Sequence, residues 1–320
     1  MKHYAAPLEG MTNYLWRRIH ADIFGGADRY FTPFVSPNAT FKFQTKELDE
    51  LRHNAGLPVI PQILTNSAEH FLWAAREMAD MGYEEINFNL GCPSGTVTAK
   101  RKGSGLLSYP EELEAMLQEI FRGLPAGMRL SVKTRVGRES VEEWGRLLEL
   151  YHKFPFSELI VHPRVQKEFY RGHAHRELMA ETLTNAPWPV CYNGDVFSPE
   201  TAAAVEGDYP ALDALMVGRG LMADPALLRR MGGGAAASRE ELRAYHDALW
   251  EAYRVRLGGD LNAIYRMREL WNYLSGSFCD TEKFLKKVRK AKEGSEYRSA
   301  VEQLFAENAM NPTPSPPEGK

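Results

Sequence analysis

Cys92 stands between Gly91 and Pro93, directly after the apolar run Glu85–Asn89. A thiol in such a loop can face a pocket and donate a proton as a general acid. Lys133 emerges from the apolar run Leu130-Ser131-Val132. A cation at the end of a buried strand needs an anionic or strongly accepting partner, either a ligand or a carboxylate of the protein itself. Gln62 carries both a donor and an acceptor and would suit the amide-like edge of a heterocycle, or serve as an ordinary polar core residue. His162 could touch a ligand or be a satisfied core histidine. Gly194 and Gly218-Arg219-Gly220 let backbone N–H groups approach an anion, and Arg219 can bind one through two parallel hydrogen bonds. Tight turns alone would also use these glycines. Cys191 and Cys279 read as buried small residues. No second cysteine or histidine sits at ligand spacing near Cys92, so no metal is expected.

These residues share a phase. Strand signals fall at His3–Pro7, Tyr30–Phe34, Pro58–Leu64, Glu85–Asn89, Arg129–Thr134, Glu158–His162, Val190–Asn193 and Ala214–Val217. Polar residues follow one apolar run after another, the pattern of a barrel whose chemistry collects at the C-terminal ends of its strands. The last six runs lie mostly about 25 to 45 residues apart, as parallel strands joined by crossover helices do. Between them, Ser67–Met81, Pro110–Phe121, Glu139–His152, His175–Thr184 and Ser198–Val205 read as helices. Ser67 is a natural cap, and Pro110 with two acidic residues is a standard opening. Phe41–Asn54 is polar and irregular, a weak crossover. The alternation predicts an α/β fold, a (β/α)8 TIM barrel, although pattern alone would also allow a doubly wound sheet.

The run Met231–Ser238 (MGGGAAAS) reads as a linker. Beyond it the strand signals stop, and Arg239–Arg256, Asn262–Ser275, Asp280–Ala291 and Glu296–Phe305 read as helices. The expected organisation is a catalytic barrel over 1–230, a linker over 231–237, a small all-helical domain over 238–306 and a disordered proline-rich tail over 307–320. With 320 residues, 44% hydrophobic and 25% charged, the composition is that of an ordinary globular protein. Three cysteines argue against a disulfide framework, and no apolar run is long enough for a membrane span or a signal peptide. Cytoplasmic location is the default.

Net charge is -3 overall, yet residues 238–300 hold 13 basic and 10 acidic side chains while residues 1–237 hold 25 and 29. The segment 283–292 has six basic residues and no acid. Lys283, Lys286, Lys287 and Lys290 would share one helix face, with Phe284, Leu285, Val288 and Ala291 turned to a core. Such a strip is a solvated face or a contact for RNA phosphates.

Taken together, several segments resemble the tRNA-dihydrouridine synthases. They are Ala6-Pro7-Leu8-Glu9-Gly10-Met11-Thr12, Phe88-Asn89-Leu90-Gly91-Cys92-Pro93-Ser94, Lys100–Leu107, Val132-Lys133-Thr134-Arg135, Val161-His162, Asn193-Gly194-Asp195 and Val217-Gly218-Arg219-Gly220. The resemblance covers residues 1 to about 230 and implies an FMN enzyme that reduces uridine in RNA, above all tRNA, with NADPH as reductant. It implies that Pro7, Gln62, Lys133, His162, Asn193, Asp195, Gly218 and Arg219 hold FMN. Cys92 would be the proton donor, Asn89 would hold the uracil, and Arg135 would stand in the same pocket. It further assigns the lysine strip to RNA. The segment from Pro163 to His175 departs from the family pattern and would shape the RNA-side rim. Competing expectations are an FMN barrel acting on a small molecule, like dihydroorotate dehydrogenases or ene-reductases, and an RNA-binding barrel without chemistry.

Overall fold

Every residue of Glu85–Leu90 and Glu158–Val165 is buried, as strands covered on both faces must be. In the computed structural model, which describes residues 1–316, nine parallel segments make one sheet. They are β1 (Lys2–Ala5), β2 (Arg29–Phe31), β3 (Val59–Ile60), β4 (Gln62–Ile63), β5 (Glu85–Leu90), β6 (Arg129–Gly137), β7 (Glu158–Val165), β8 (Val190–Tyr192) and β9 (Ala214–Val217). The order around the sheet is β3-β2-β1-β9-β8-β7-β6-β5-β4.

The two ends of that order are neighbours in the chain. Pro61 separates β3 from β4 and has no N–H to give the ladder, so one strand is cut in two. Its carbonyl still accepts the Asn87 N–H at 2.9 Å. The ring closes through Pro61, and the eight expected strands become a barrel wrapped by helices. β6 and β7 pair furthest, from Ser131↔Glu158 to Gly137↔Val165, with an irregularity between Arg135 and Gly137. This ribbon stands at the C-terminal rim and carries Lys133, Arg135, His162 and Arg164.

The helices expected from periodicity recur within a few residues. Ser67 caps Ala68–Asp80 by accepting the His70 N–H, and Pro110 opens Pro110–Gly123. The weak crossover differs: Thr45–Arg52 is a helix, burying only Glu47 and Leu51. A further helix, Tyr14–Ile23, buries Trp16, Arg17 and His20.

After the barrel come Arg239–Arg256, Asp260–Leu274, Glu282–Lys290 and Gly294–Glu307. They pack against the barrel: Phe24 meets Tyr245 edge-on at 5.3 Å, and Ser277 Oγ donates to Ala223 O at 2.7 Å. The glycine-rich segment is tied down by Arg229, which donates to Ala235 O and Ala236 O and pairs with Glu241. In the tail, expected to be disordered, Met310 bridges to Phe278 and the Asn311 N–H donates to Ser277 O. Residues 317–320 of that tail lie outside the described residues. Among the described residues no helix is long and apolar enough to cross a membrane.

Candidate active site

A pocket opens at the C-terminal end of the barrel, with about 850 Å³ of space counted to its open mouth. Its wall brings together Pro7, Gln62, Asn89, Cys92, Lys133, Arg135, His162, Asn193, Gly218 and Arg219 from seven different strand ends.

The Cys92 loop is fixed by its backbone. Asn89 Oδ1 accepts the N–H groups of Gly91 and Cys92, and Cys92 O accepts both the N–H and the hydroxyl of Ser104. Gly103, at φ +56, lies so close that an added Cβ would stand 2.9 Å from Cys92 O. Hence the loop following Cys92 must carry glycine there. Asn89 is held in turn: its amide donates to Gln62 Oε1 at 2.6 Å, Gln62 donates to Asn87, and Asn87 donates to Ser131 Oγ. This file of side chains links the neighbouring strands β4, β5 and β6. Burial pushes the Cys92 thiol up, against a hydrogen bond from the Ser94 backbone. Glu9 adds to the rise, and Arg135 and Lys133 oppose it. The group is therefore a thiol at neutral pH.

Lys133 pairs with no carboxylate among the described residues, and its ammonium makes no hydrogen bond there. Burial, then the neighbouring Arg135, pulls it down to about 8. His162 lies well below its ordinary value through burial and the cations Arg135, Lys133, Arg164 and Arg219. Arg164 Nη1 contacts its Nε2 at 3.2 Å, and because guanidinium can only donate, the histidine proton sits on Nδ1.

Asp195 does not line the pocket. It takes both Arg164 terminal nitrogens, at 3.0 and 2.6 Å, and Arg219 Nη2 at 2.7 Å. It thus anchors Arg219 from behind. Arg135, only 1% exposed, donates to Gly91 O, Val165 O and Phe169 O and so ties the Cys92 loop to the loop after β7. Gly218 faces the pocket with room for a side chain, whereas one at Gly194 would meet the Tyr192 hydroxyl and one at Gly220 the Val196 carbonyl. Packing explains those two glycines without a ligand.

The segment after His162 departs in sequence from the pattern the neighbouring segments resemble. The structure places Tyr170 from it in the pocket wall, stacked on His162 and 4.4 Å beneath the Arg219 guanidinium. Arg164 stands two residues past His162 on β7 and so on the same strand face; that alternation was the available signal. Glu9, Pro33 and Phe34 complete the wall on the opposite side. Lys283, Lys286, Lys287 and Lys290 are all exposed on Glu282–Lys290, over a face that buries Phe284 and Val288. Lys287 also reaches Gln303.

A family model described as dihydrouridine synthase matches residues 4–310. The chain is 30% identical over 230 residues to a probable tRNA-dihydrouridine synthase of Staphylococcus epidermidis, covering 69% of this chain and 68% of that protein. To the tRNA-dihydrouridine(16) synthase of Aquipseudomonas alcaligenes it is 30% identical over 243 residues, covering 74% and 76%. Among solved structures, histamine dehydrogenase from Rhizobium sp. 4-9 superposes with a TM-score of 0.55 at 13% identity, covering 77% of this chain and 49% of that one. A variant of NCR from Zymomonas mobilis gives 0.52 at 14%, covering 74% and 88%. At such identities the likeness is one of fold.

Proposed function

The chain belongs to the dihydrouridine synthase family, and on that footing we propose that it reduces uridine in RNA, transfer RNA first, to 5,6-dihydrouridine, with FMN bound in the barrel mouth and NADPH as reductant. The pocket residues fit a flavin nucleotide. Lys133 is a cation with no carboxylate partner among the described residues, and it would meet the electron-rich edge of the ring. Gln62 offers that edge a donor and an acceptor. Arg219, with Asn193 and the Gly218 turn, would take the phosphate, while Pro7 and His162 close the cradle. Asp195 serves the cofactor through Arg219, which it orients.

A flavin held by these residues would supply hydride to C6 of the uracil ring. The Cys92 thiol gives its proton to C5 and recovers one from solvent. Asn89 fixes the loop that presents the thiol, and Asn89 and Arg135 border the space the uracil would enter. A base must leave its stack to reach this depth. The exposed strip of Lys283, Lys286, Lys287 and Lys290 would hold RNA phosphates meanwhile. Such work belongs in the cytoplasm.

One observation carries the reading: a thiol whose burial keeps it protonated shares a pocket with a lysine that no described carboxylate neutralises. The test is to map dihydrouridine in RNA from cells with and without the gene. A site that loses the modification supports the reading, and an unchanged map overturns it. In vitro, NADPH oxidation should rise with uridine-containing RNA and not with orotate.

A further inference from the structure

Two arginines, each 1% exposed, are spent on one loop. Arg135 donates to the carbonyls of Val165 and Phe169, and Arg164 to those of Arg171 and Gly172. Asp195 accepts the Ala174 N–H from the same loop. Gln166 Nε2 reaches Pro93 O beside the catalytic thiol. The segment from Gln166 to Ala174 is therefore a rigid rim fastened to both sides of the pocket.

That rim presents two consecutive aromatic residues in opposite ways. Tyr170 forms part of the pocket wall. Phe169 is 43% exposed and lies outside the lining. Its backbone sits at φ 52 and ψ -96, a region an L side chain enters only at a cost of roughly 1–3 kcal/mol. A phenyl ring 43% open to solvent recovers less from packing than a buried one would. Glycine would relieve the strain.

We propose that Phe169 is a stacking platform for the base next to the uridine that enters the pocket. The proposal rests on the function given above. A uridine swung out of an RNA stack leaves its neighbour with one bare face. An aromatic ring on a backbone held by Arg135, next to the pocket-lining Tyr170, would replace the missing stacking, and for any base, since every base has a π-face. Lys167 and Arg171, two residues to either side of the ring, are exposed, and Lys167 pairs with Glu139.

The test compares wild type, Phe169→Gly and Phe169→Trp, using transfer RNA transcribed in vitro and hence unmodified. Phe169→Gly removes strain along with the ring, so folding and NADPH-driven flavin bleaching stay normal. Its RNA affinity should fall about 5- to 150-fold, the range for one stacked base. The slope of log affinity against log salt should not change, because the ring engages no phosphate. Phe169→Trp should restore wild-type affinity. Equal RNA affinity of wild type and Phe169→Gly overturns the proposal while leaving the functional reading intact. A flattened salt slope also overturns it, by making the effect electrostatic. Wild type that forms no dihydrouridine in any RNA overturns the functional reading, and the platform with it.

Discussion

The backbone N–H of Cys92 donates to Asn89 Oδ1 at 2.9 Å, so the position of the thiol is set by an amide three residues back and not by the sulfur. Replacing the side chain at Cys92 should leave its loop where it is. In Cys92→Ala, NADPH should still bleach the flavin, whereas reoxidation by RNA should slow about 10²–10⁴-fold, the usual contribution of a general acid. Stopped-flow spectra of the two half-reactions decide it. Failure of bleaching with intact RNA turnover would reverse the assignment.

Because burial raises the thiol, its protonated form persists through neutral pH and is lost only as pH climbs past the ordinary thiol range of about 8.5. RNA-dependent reoxidation should accordingly be flat at neutral pH and decline on the alkaline side. A decline beginning on the acidic side of neutrality would point to another donor.

Lys133 titrates earlier. With its value pulled down to about 8, the cation is present at pH 7 and is lost as pH rises through that value. Flavin affinity should therefore weaken between pH 7 and pH 9 in wild type. Lys133→Met should bind weakly at both, with no such slope. Equilibrium dialysis with free FMN measures this directly.

Arg219→Ala removes a charge-assisted bond of the kind that contributes roughly 1.5–3 kcal/mol. The variant should purify with less flavin yet stay folded, since Asp195 keeps its two bonds to Arg164. Equal flavin content would move the phosphate site elsewhere.

Changing Lys283, Lys286, Lys287 and Lys290 together to glutamine should weaken RNA binding and flatten its salt dependence, by about 0.7–0.9 in slope for each phosphate no longer engaged. Flavin content and NADPH oxidation by oxygen should not change. The four side chains are exposed, and the one bond lost, from Lys287 to Gln303, lies at the surface, so stability should change little. Unchanged affinity and slope would make the strip ordinary surface.

The barrel was legible because its strands bury both faces and so read as short apolar runs with polar residues at one end. The helix Tyr14–Ile23 was not, because its buried face is made of Trp16, Arg17 and His20 instead of an aliphatic stripe. Arg17 donates to Thr12 O close by and, far along the chain, to Glu50 and Asn54. No local pattern announces such a partner. Thr45–Arg52 was hidden for a related reason, since its one buried apolar residue is Leu51.

At the site, each lining residue that ends a strand could be read from position. Asp195 could be placed beside the pocket but not behind Arg219, because one residue past Gly194 the chain has already turned away. Tyr170 depends on a loop whose course is dictated by Arg135 and Arg164, and those bonds run to backbone carbonyls, which carry no residue identity to read.

One apolar cluster joins the barrel to the C-terminal helices, taking in Phe24, Tyr245 and Trp271, beside a smaller one that holds Tyr4, Phe31 and Met216. Heating should thus meet a single object. Calorimetry of the whole protein should give one endotherm, with no early shoulder from the helices melting alone. A chain stopped at the glycine run would bare Phe24 and its neighbours to water, and such a stub should precipitate where the intact protein stays in solution.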